Sequence, residues 1–271
     1  MGILLLKLIL TSIPCAALCV YVFINDDKTK KLTMPFLLFA LGALITVPVS
    51  MAETALTRFL FTTPPGTLSV LDLFGNRLIF AFVEELAKWV VLLIYISKKR
   101  TPHCVSCAFF ITAGFALAEN LLYFQHHGVT STITRSTSAA IAHCFCGIIS
   151  GYFFEVYGIY KSGLSLEKQL FCDGVISECK LGKEAARNLS LSLLVPTFLH
   201  GIYNFACFFS SATAISLCIV YCISLYLLSF YAVLYCRKSL RNVAKTALKE
   251  VCQKHPADAP EIIFREQTRV L

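Results

Sequence analysis

The sequence predicts an all-α protein, a polytopic transmembrane helix bundle with about seven spans. Of its 271 residues, 57% are hydrophobic and 15% are charged, whereas soluble domains have about 45–50% apolar and about 25% charged residues. The apolar residues also fall into runs near the roughly 20 residues that a membrane-spanning helix needs. The chain is therefore expected to cross a membrane several times rather than to fold around a soluble core.

The first three predicted spans lie in the N-terminal third of the chain. Ile3–Ile24 is a long apolar run; a signal peptide is the alternative, but the run lacks a small-x-small cleavage site. Met34–Ser50 is the shortest span, and Asn76–Ile96 is apolar except for an acidic pair and a lysine. The connection Glu53–Phe74 contains Pro-Pro-Gly and is predicted to be an extracytoplasmic turn.

Four further apolar runs complete the predicted bundle. Cys104–Tyr123 and Thr137–Tyr160 are separated by a short connection, and a longer charged loop leads to Leu189–Phe209 and Ala212–Tyr235. Because no loop is long enough to hold a second domain, residues 1–236 are predicted to form one membrane domain. Residues 237–271 are predicted to form a basic cytoplasmic tail.

Lysine and arginine are concentrated in alternate connections, which predicts the orientation. The positive-inside rule places such connections in the cytoplasm. The N-terminus is therefore expected outside and the C-terminus in the cytoplasm, and the expected location is the inner (plasma) membrane of the cell. The net charge of +8 is then explained by topology and does not indicate a nucleic-acid partner. The basic groups that follow spans one, three, five and seven include Lys28, Lys30 and Lys31; Lys98, Lys99 and Arg100; Lys180, Lys183 and Arg187; and Arg237, Lys238 and Arg241.

The thirteen cysteines are an odd number scattered through apolar runs, which argues against a disulfide framework. Buried cysteine behaves as a small hydrophobic residue. Cys104-Val-Ser-Cys107 has a C-x-x-C spacing, but one such pair without a second is a weak zinc signal, and packing is the simpler interpretation.

Four of the predicted spans carry motifs with polar or ionisable residues that hydrocarbon should reject. A charged group at membrane depth costs roughly 2.5–3.5 kcal/mol, so such groups usually face one another or a water-filled cavity. The motif residues are Glu84, Glu85 and Lys88 in span three; Phe115, Glu119 and Asn120 in span four; Arg135 and His143 at the start of span five; and His200 and Asn204 in span six.

Glu84, Glu119, His143, His200 and Asn204 are predicted to lie at a common depth. With 1.5 Å of rise per residue, they fall roughly 6–14 Å below the outer ends of their spans. Each group alone also has a structural explanation, such as an intrahelical ion pair, an interfacial polar end or an interhelical hydrogen bond. Because those explanations do not account for the shared depth, the pattern favours one site.

The residue types suit hydrolysis of an amide inside a membrane. That reaction needs a water, a base to activate it and donors for the developing oxyanion. Glutamates can supply the base, histidines can position water, move a proton or bind a metal, and an asparagine amide can donate to an oxyanion.

The ordered motifs resemble those of the PrsW family. They are Glu84-Glu85-x-x-Lys88, Phe115-x-x-x-Glu119-Asn120, the stretch from Arg135 through His143 to Gly151-Tyr152, and His200-Gly201-x-x-Asn204. PrsW proteins are polytopic bacterial proteases of the CAAX prenyl endopeptidase superfamily that cleave membrane-bound anti-sigma factors. The resemblance covers residues 76–210. The wider superfamily commonly has histidine at the position of Glu119, which leaves metal dependence open.

The resemblance implies an intramembrane endopeptidase that acts on a membrane-anchored protein near the outer face, with a glutamate-activated water. Glu84 and Glu85 are expected to supply the base, Glu119 and His143 to position water or a proton, and His200 and Asn204 to hold the oxyanion. Lys88, Phe115, Asn120 and Arg135 are expected to support them. No cofactor is expected; if zinc binds, the candidate ligands are His143, His200, Glu84 and Glu119. A proton-coupled transporter and a non-enzymatic membrane scaffold are the alternatives.

Overall fold

The structure is a computed structural model that describes residues 16–22, 24, 33–60, 69–97, 103–126, 129–164, 168, 171–172, 174, 180–207 and 212–254. These residues are almost entirely helical, and the all-α polytopic class is confirmed. The described part contains six long helices: α1 (Thr33–Leu60), α2 (Val70–Ser97), α3 (Cys104–His126), α4 (Val129–Ser162), α5 (Leu181–Ala206) and α6 (Ala212–Lys254).

Five of these helices are long and apolar enough to cross a membrane. Helix α2 has 28 residues, or roughly 42 Å, but its charged residues set it apart from the five. The predicted span Ile3–Ile24 falls mainly outside the described residues, so the total of seven spans stays a prediction. The five candidate spans are Met34–Phe59, Cys104–Tyr123, Ser138–Ser162, Leu181–Ala206 and Ser216–Tyr235.

Several predicted helix ends were wrong because apolar runs do not mark where helices stop. The predicted turn Glu53–Phe74 is helical at both ends, since α1 continues to Leu60 and α2 begins at Val70. Helix α5 begins eight residues before the predicted start at Leu189, and its first turns bury Leu181 and Ala185. Helix α6 continues without a break into the predicted tail.

Close helix packing places the site between α2, α3, α4 and α5. Helix α4 packs against α3, α5 and α6, while α2 packs chiefly against α5. A Cβ atom on Gly147 would overlap the Thr112 side chain, and one on Gly151 would overlap the backbone at Cys104. Helix α3 therefore approaches α4 closely at these two glycines.

Candidate active site

Three charged residues of α2 lie inside the bundle. Glu84, Glu85 and Lys88 are only 4%, 3% and 3% exposed. Buried charges are tolerated when they are paired and hydrogen-bonded. The i, i+3 and i, i+4 spacings bring the lysine back over both carboxylates, so one ammonium group serves two acids.

Lys88 is bound more closely to Glu85 than to Glu84. Its Nζ donates to Glu85 Oε1 at 2.8 Å and to Glu84 Oε2 at 3.5 Å. The three-residue spacing therefore gives the shorter contact, and the four-residue spacing the longer one. The same Nζ lies 4.0 Å from the centre of the Phe115 ring, a cation–π contact that gives this aromatic residue a place beside the charges.

His200 of α5 is held by Glu85. His200 Nδ1 lies 2.9 Å from Glu85 Oε1, the oxygen that also accepts from Lys88. An ionised carboxylate oxygen can only accept a hydrogen bond, so His200 Nδ1 is the donor and carries a proton. The other ring nitrogen, Nε2, lies 3.9 Å from Glu84 Oε2.

His143 of α4 connects Lys88 to Glu119. Lys88 Nζ lies 3.0 Å from His143 Nδ1, and an ammonium can only donate, so Nδ1 accepts. The ring proton of a neutral His143 is then on Nε2, which donates to Glu119 Oε2 at 2.9 Å. This assignment of the tautomer follows from the hydrogen-bond pattern. The Phe115 ring packs edge-on against His143, 5.5 Å between centres.

Glu84 makes longer contacts than the other carboxylates of the cluster. Its Oε2 is 3.9 Å from Nε2 of His143 and 3.9 Å from Nε2 of His200, too far for direct hydrogen bonds. The two imidazole rings meet edge to face, with centres 4.6 Å apart. Glu84, His143 and His200 each offer one ligand atom, all within 4.8 Å of one another, so the three could hold a metal ion.

Three predicted residues have no described contact with this network. Asn204 is half-buried and lies one turn after His200 on α5. Asn120 is buried, and its Oδ1 has no hydrogen-bond partner within the described part of the chain. Arg135 belongs to α4, but its side chain lies outside what the structure describes.

Sequence reasoning missed a fourth acidic residue, Glu53 of α1. Glu53 lies near enough to Glu84 for a weak electrostatic repulsion between the two carboxylates, smaller than that from Glu119. The signal was present in the spacing: Leu38, Thr46 and Val49 are buried, and Glu53 follows on the same three- and four-residue stripe. Because the sequence analysis ended the helix at Ser50, it placed Glu53 in a loop.

A small cavity lies beside the charges. Glu85, Lys88, Thr112, Gly147 and Ser150 contribute to its lining. It is polar on one side and has room for about one water molecule. Water can therefore be held next to the Glu85–Lys88 pair inside the bundle.

Fold and site together define a polytopic membrane protein with a buried glutamate–histidine–lysine cluster. The sequence profile of the PrsW family intramembrane metalloproteases matches residues 30–234 of the chain. The chain belongs to this family, and it is an intramembrane protease. The resemblance drawn from the ordered motifs is thereby confirmed.

Individual relatives agree with the family match. The chain is 29% identical to Protease PrsW of Oceanobacillus iheyensis over 71% of its own length and 78% of the relative. It is 27% identical to Protease PrsW of Shouchella clausii over 71% and 79%, and 26% identical to that of Bacillus subtilis over 71% and 78%. No solved structure matches the chain significantly.

Proposed function

We propose that the protein hydrolyses a peptide bond of a membrane-anchored substrate through a water molecule activated by Glu84. One observation carries the proposal: Glu84 Oε2 faces Nε2 of both histidines at 3.9 Å, whereas Glu85 is engaged by Lys88 and His200. A gap of this size admits a bridging water. A general base has to be within reach of the water and free to accept its proton.

Glu85 is proposed to position groups rather than to take a proton from the water. Its two contacts fix the His200 ring and keep the proton on Nδ1, much as a carboxylate orients a catalytic imidazole in a triad. Lys88 holds the two glutamates and His143 in one arrangement. The expectation that Glu84 and Glu85 both supply the base is thus narrowed to Glu84.

His143 and Glu119 are proposed to carry the proton to the leaving amine. They are hydrogen-bonded, and the Glu119 side chain is 18% exposed while that of His143 is 2% exposed. The proton path therefore runs from the buried base toward the more open side of the cluster. Glu119 also marks the side from which a substrate segment would approach.

His200 and Asn204 are proposed to stabilise the oxyanion. His200 in its imidazolium form keeps Nδ1–H on Glu85 and presents Nε2–H to the developing charge. Asn204, one turn further along α5, donates from its amide without burying a charge. Preorganised donors of this kind contribute the largest single term in many acyl-transfer reactions.

The cleavage site is proposed to lie in the outer half of the membrane. Counted from the same-side ends of their candidate spans, Glu119, His143 and His200 lie roughly 6–9 Å deep. The lysine and arginine pattern assigns that side to the outside of a bacterial inner membrane, with the C-terminus in the cytoplasm. An anti-sigma factor with one span and an external domain is the proposed type of substrate.

The family description names metalloproteases. The ligand atoms of one glutamate and two histidines fit a metal ion in type and in separation. Glu84, His143 and His200 would be the ligands, and a bound Zn²⁺ would polarise the scissile carbonyl and acidify a bound water. His143 Nε2 can ligate only without its proton, so Lys88 would have to stop donating to Nδ1. Metal binding and the observed Lys88–His143 contact therefore require different protonation states of His143.

Cleavage by purified protein in proteoliposomes tests the proposal, with a single-span anti-sigma factor as substrate. Glu84→Gln should lower the rate by about 10²–10⁴-fold, the contribution of a general base. Glu184→Gln, at the exposed start of α5, is the matched control and should keep the wild-type rate. Full activity in Glu84→Gln would exclude Glu84 as the base.

Chelation separates the two mechanisms. Wild-type protein dialysed exhaustively against a chelator should keep its activity if the water is activated by Glu84 alone. Loss of activity that Zn²⁺ restores would instead assign Glu84, His143 and His200 as ligands. Adding Zn²⁺ to His143→Ala then provides the control, since that variant lacks one ligand.

A further inference from the structure

Two cysteines meet where α5 and α6 approach each other beside the proposed site. Cys207 directly follows α5, and Cys218 lies in the second turn of α6. Their sulfur atoms are 3.5 Å apart, although the residues are eleven positions apart in the chain. We propose that Cys207 and Cys218 form a reversible disulfide at the extracytoplasmic end of this helix pair.

The two sulfur atoms are already close enough for a disulfide to be a short step away. A disulfide places its sulfurs about 2.05 Å apart, so the two sulfurs need to approach by about 1.5 Å. Rotation of two side chains that already touch can supply this movement. Cys207 is exposed and Cys218 is half-buried, so an oxidant can reach the pair from the membrane surface.

The environment of the pair also favours oxidation. Cys207 follows the candidate span Leu181–Ala206, and Cys218 is near the start of Ser216–Tyr235. Both lie at the end of the bundle that carries His200, which is the outer end in the orientation proposed above. Disulfides persist in extracytoplasmic compartments and are rare in the cytosol. The oxidising location rests on the proposed orientation, whereas the proximity of the sulfurs does not.

The bond would form by thiol–disulfide exchange with a small or protein disulfide as oxidant. The Cys207 thiolate attacks one sulfur of that disulfide and releases one thiol. The Cys218 thiolate then attacks the Cys207 sulfur and releases the second thiol. The two cysteines lose two electrons and two protons, and the oxidant gains them.

The disulfide would fix the helix end that positions His200 and Asn204. Cys207 lies three residues after Asn204 and two turns after His200. A second contact already joins the same helices, since the Tyr221 hydroxyl donates to the carbonyl of Leu199 at 3.3 Å. Closing the Cys207–Cys218 bond would add a covalent link about one turn from this hydrogen bond along α6 and about two turns from it along α5.

Peptide mapping of the full-length protein tests the proposal directly. The protein is purified in detergent without reductant, treated with glutathione disulfide, alkylated and digested for mass spectrometry. We expect a peptide pair joined through Cys207 and Cys218, lighter by two hydrogens than the two thiol forms and absent after reduction. Alkylation of both cysteines in every oxidised sample would overturn the proposal.

Variants identify the partners and separate this result from the proposed function. Cys207→Ser and Cys218→Ser should each abolish the cross-link, whereas Cys222→Ser, in the buried next turn of α6, should retain it. A cross-link that joins Cys218 to Cys222 instead would also refute the assignment. Because the readout is a mass, it is independent of protease activity, and an inactive enzyme could still form the bond.

An activity measurement then tests the consequence for the site. A membrane-impermeant phosphine added to oxidised proteoliposomes should lower the cleavage rate several-fold, and the Cys207→Ser/Cys218→Ser protein should not respond. A wild-type rate that is the same before and after reduction, with the cross-link verified by mass, would show that the bond does not act on the site.

Discussion

Glu84→Gln and Glu85→Gln should differ in how much they destabilise the protein, although the residues are adjacent. Glu85 Oε1 accepts from Lys88 at 2.8 Å and from His200 at 2.9 Å. A hydrogen bond to a charged group contributes about 1.5–3 kcal/mol and a neutral one about 0.5–1.5 kcal/mol. Removing the charge from Glu85 makes its hydrogen bond with a neutral His200 a neutral one, which costs about 1–1.5 kcal/mol, and it leaves the buried Lys88 ammonium without its closest carboxylate, which adds to that cost.

Glu84 makes a single 3.5 Å contact with Lys88, so its replacement by glutamine removes much less. An amide is also easier to bury than a carboxylate. Glu84→Gln should change the free energy of unfolding by less than about 1 kcal/mol while lowering the cleavage rate by about 10²–10⁴-fold. Glu84→Gln is thus expected to fold normally and be inactive, whereas Glu85→Gln is expected to be destabilised.

The free energy of unfolding can be measured by denaturation in mixed detergent micelles, followed by helix content. Glu184→Gln serves as the control, because Glu184 pairs with the exposed Arg187 and surface ion pairs contribute only about 0–1 kcal/mol. Equal destabilisation of Glu84→Gln and Glu85→Gln would contradict the division of roles, and so would a larger loss for Glu84→Gln.

Three further predictions address packing, catalysis and topology. Gly114→Ala would push a methyl group into the carbonyl of Phe39 and should cost about 1–3 kcal/mol; Gly158→Ala, with open space around it, should not destabilise the protein in the same unfolding assay. Asn204→Ala should slow cleavage roughly ten- to a thousandfold, as for loss of one oxyanion donor. A wild-type cleavage rate in this variant would show that Asn204 is not an oxyanion donor. A reporter fused after Leu271 should be cytoplasmic and one placed near Gly66 extracytoplasmic, with the reverse pattern inverting the proposed cleavage side.

The sequence predicted the membership of the cluster because membrane burial is a strict filter. An ionisable residue within an apolar helix requires a partner, and Glu84, Glu85, Glu119, His143 and His200 satisfy that requirement for one another. Their roles as catalytic residues stay predictions. The burial criterion applies only to residues that lie in apolar runs. Glu53 lies beyond such a run and was therefore predicted to be in a loop.

The hydrogen-bond partners of Lys88 could not be predicted from the spacing of residues along one helix. On a single helix, Lys88 reaches Glu84 and Glu85 about equally well by the three- and four-residue rules. The balance between Glu84 and Glu85 depends on His143 of α4, which accepts a hydrogen bond from one of the three N–H groups of Lys88 Nζ. The distribution of that ammonium among three partners is a property of the packed helices and is absent from any one of them.

Helix ends were predicted less well than helix centres for a related reason. The centres are fixed by apolar runs, whereas the start of α5 is fixed by contacts with neighbouring helices. Buried polar residues extend α5 toward its N-terminus, including Asn188 and Ser192, and Ser192 accepts a hydrogen bond from Trp89 Nε1 of α2 at 2.8 Å. A hydrophobic scan counts such residues against a helix, although here they stabilise its packing.

Charge balance connects the base, the proton path and the question of a metal. With neutral histidines and ionised acids, Glu84, Glu85 and Glu119 bring three negative charges and Lys88 one positive charge. Two uncompensated charges inside a membrane protein are expensive, so the cluster has to take up protons or a cation. His200 as an imidazolium and a proton shared along the His143–Glu119 pair would meet this requirement with groups already in contact. A divalent cation would meet it equally well by charge, and would displace those protons because ligands bind metal only when deprotonated. The metal-free and metal-bound mechanisms are therefore competing ways to neutralise the same three carboxylates.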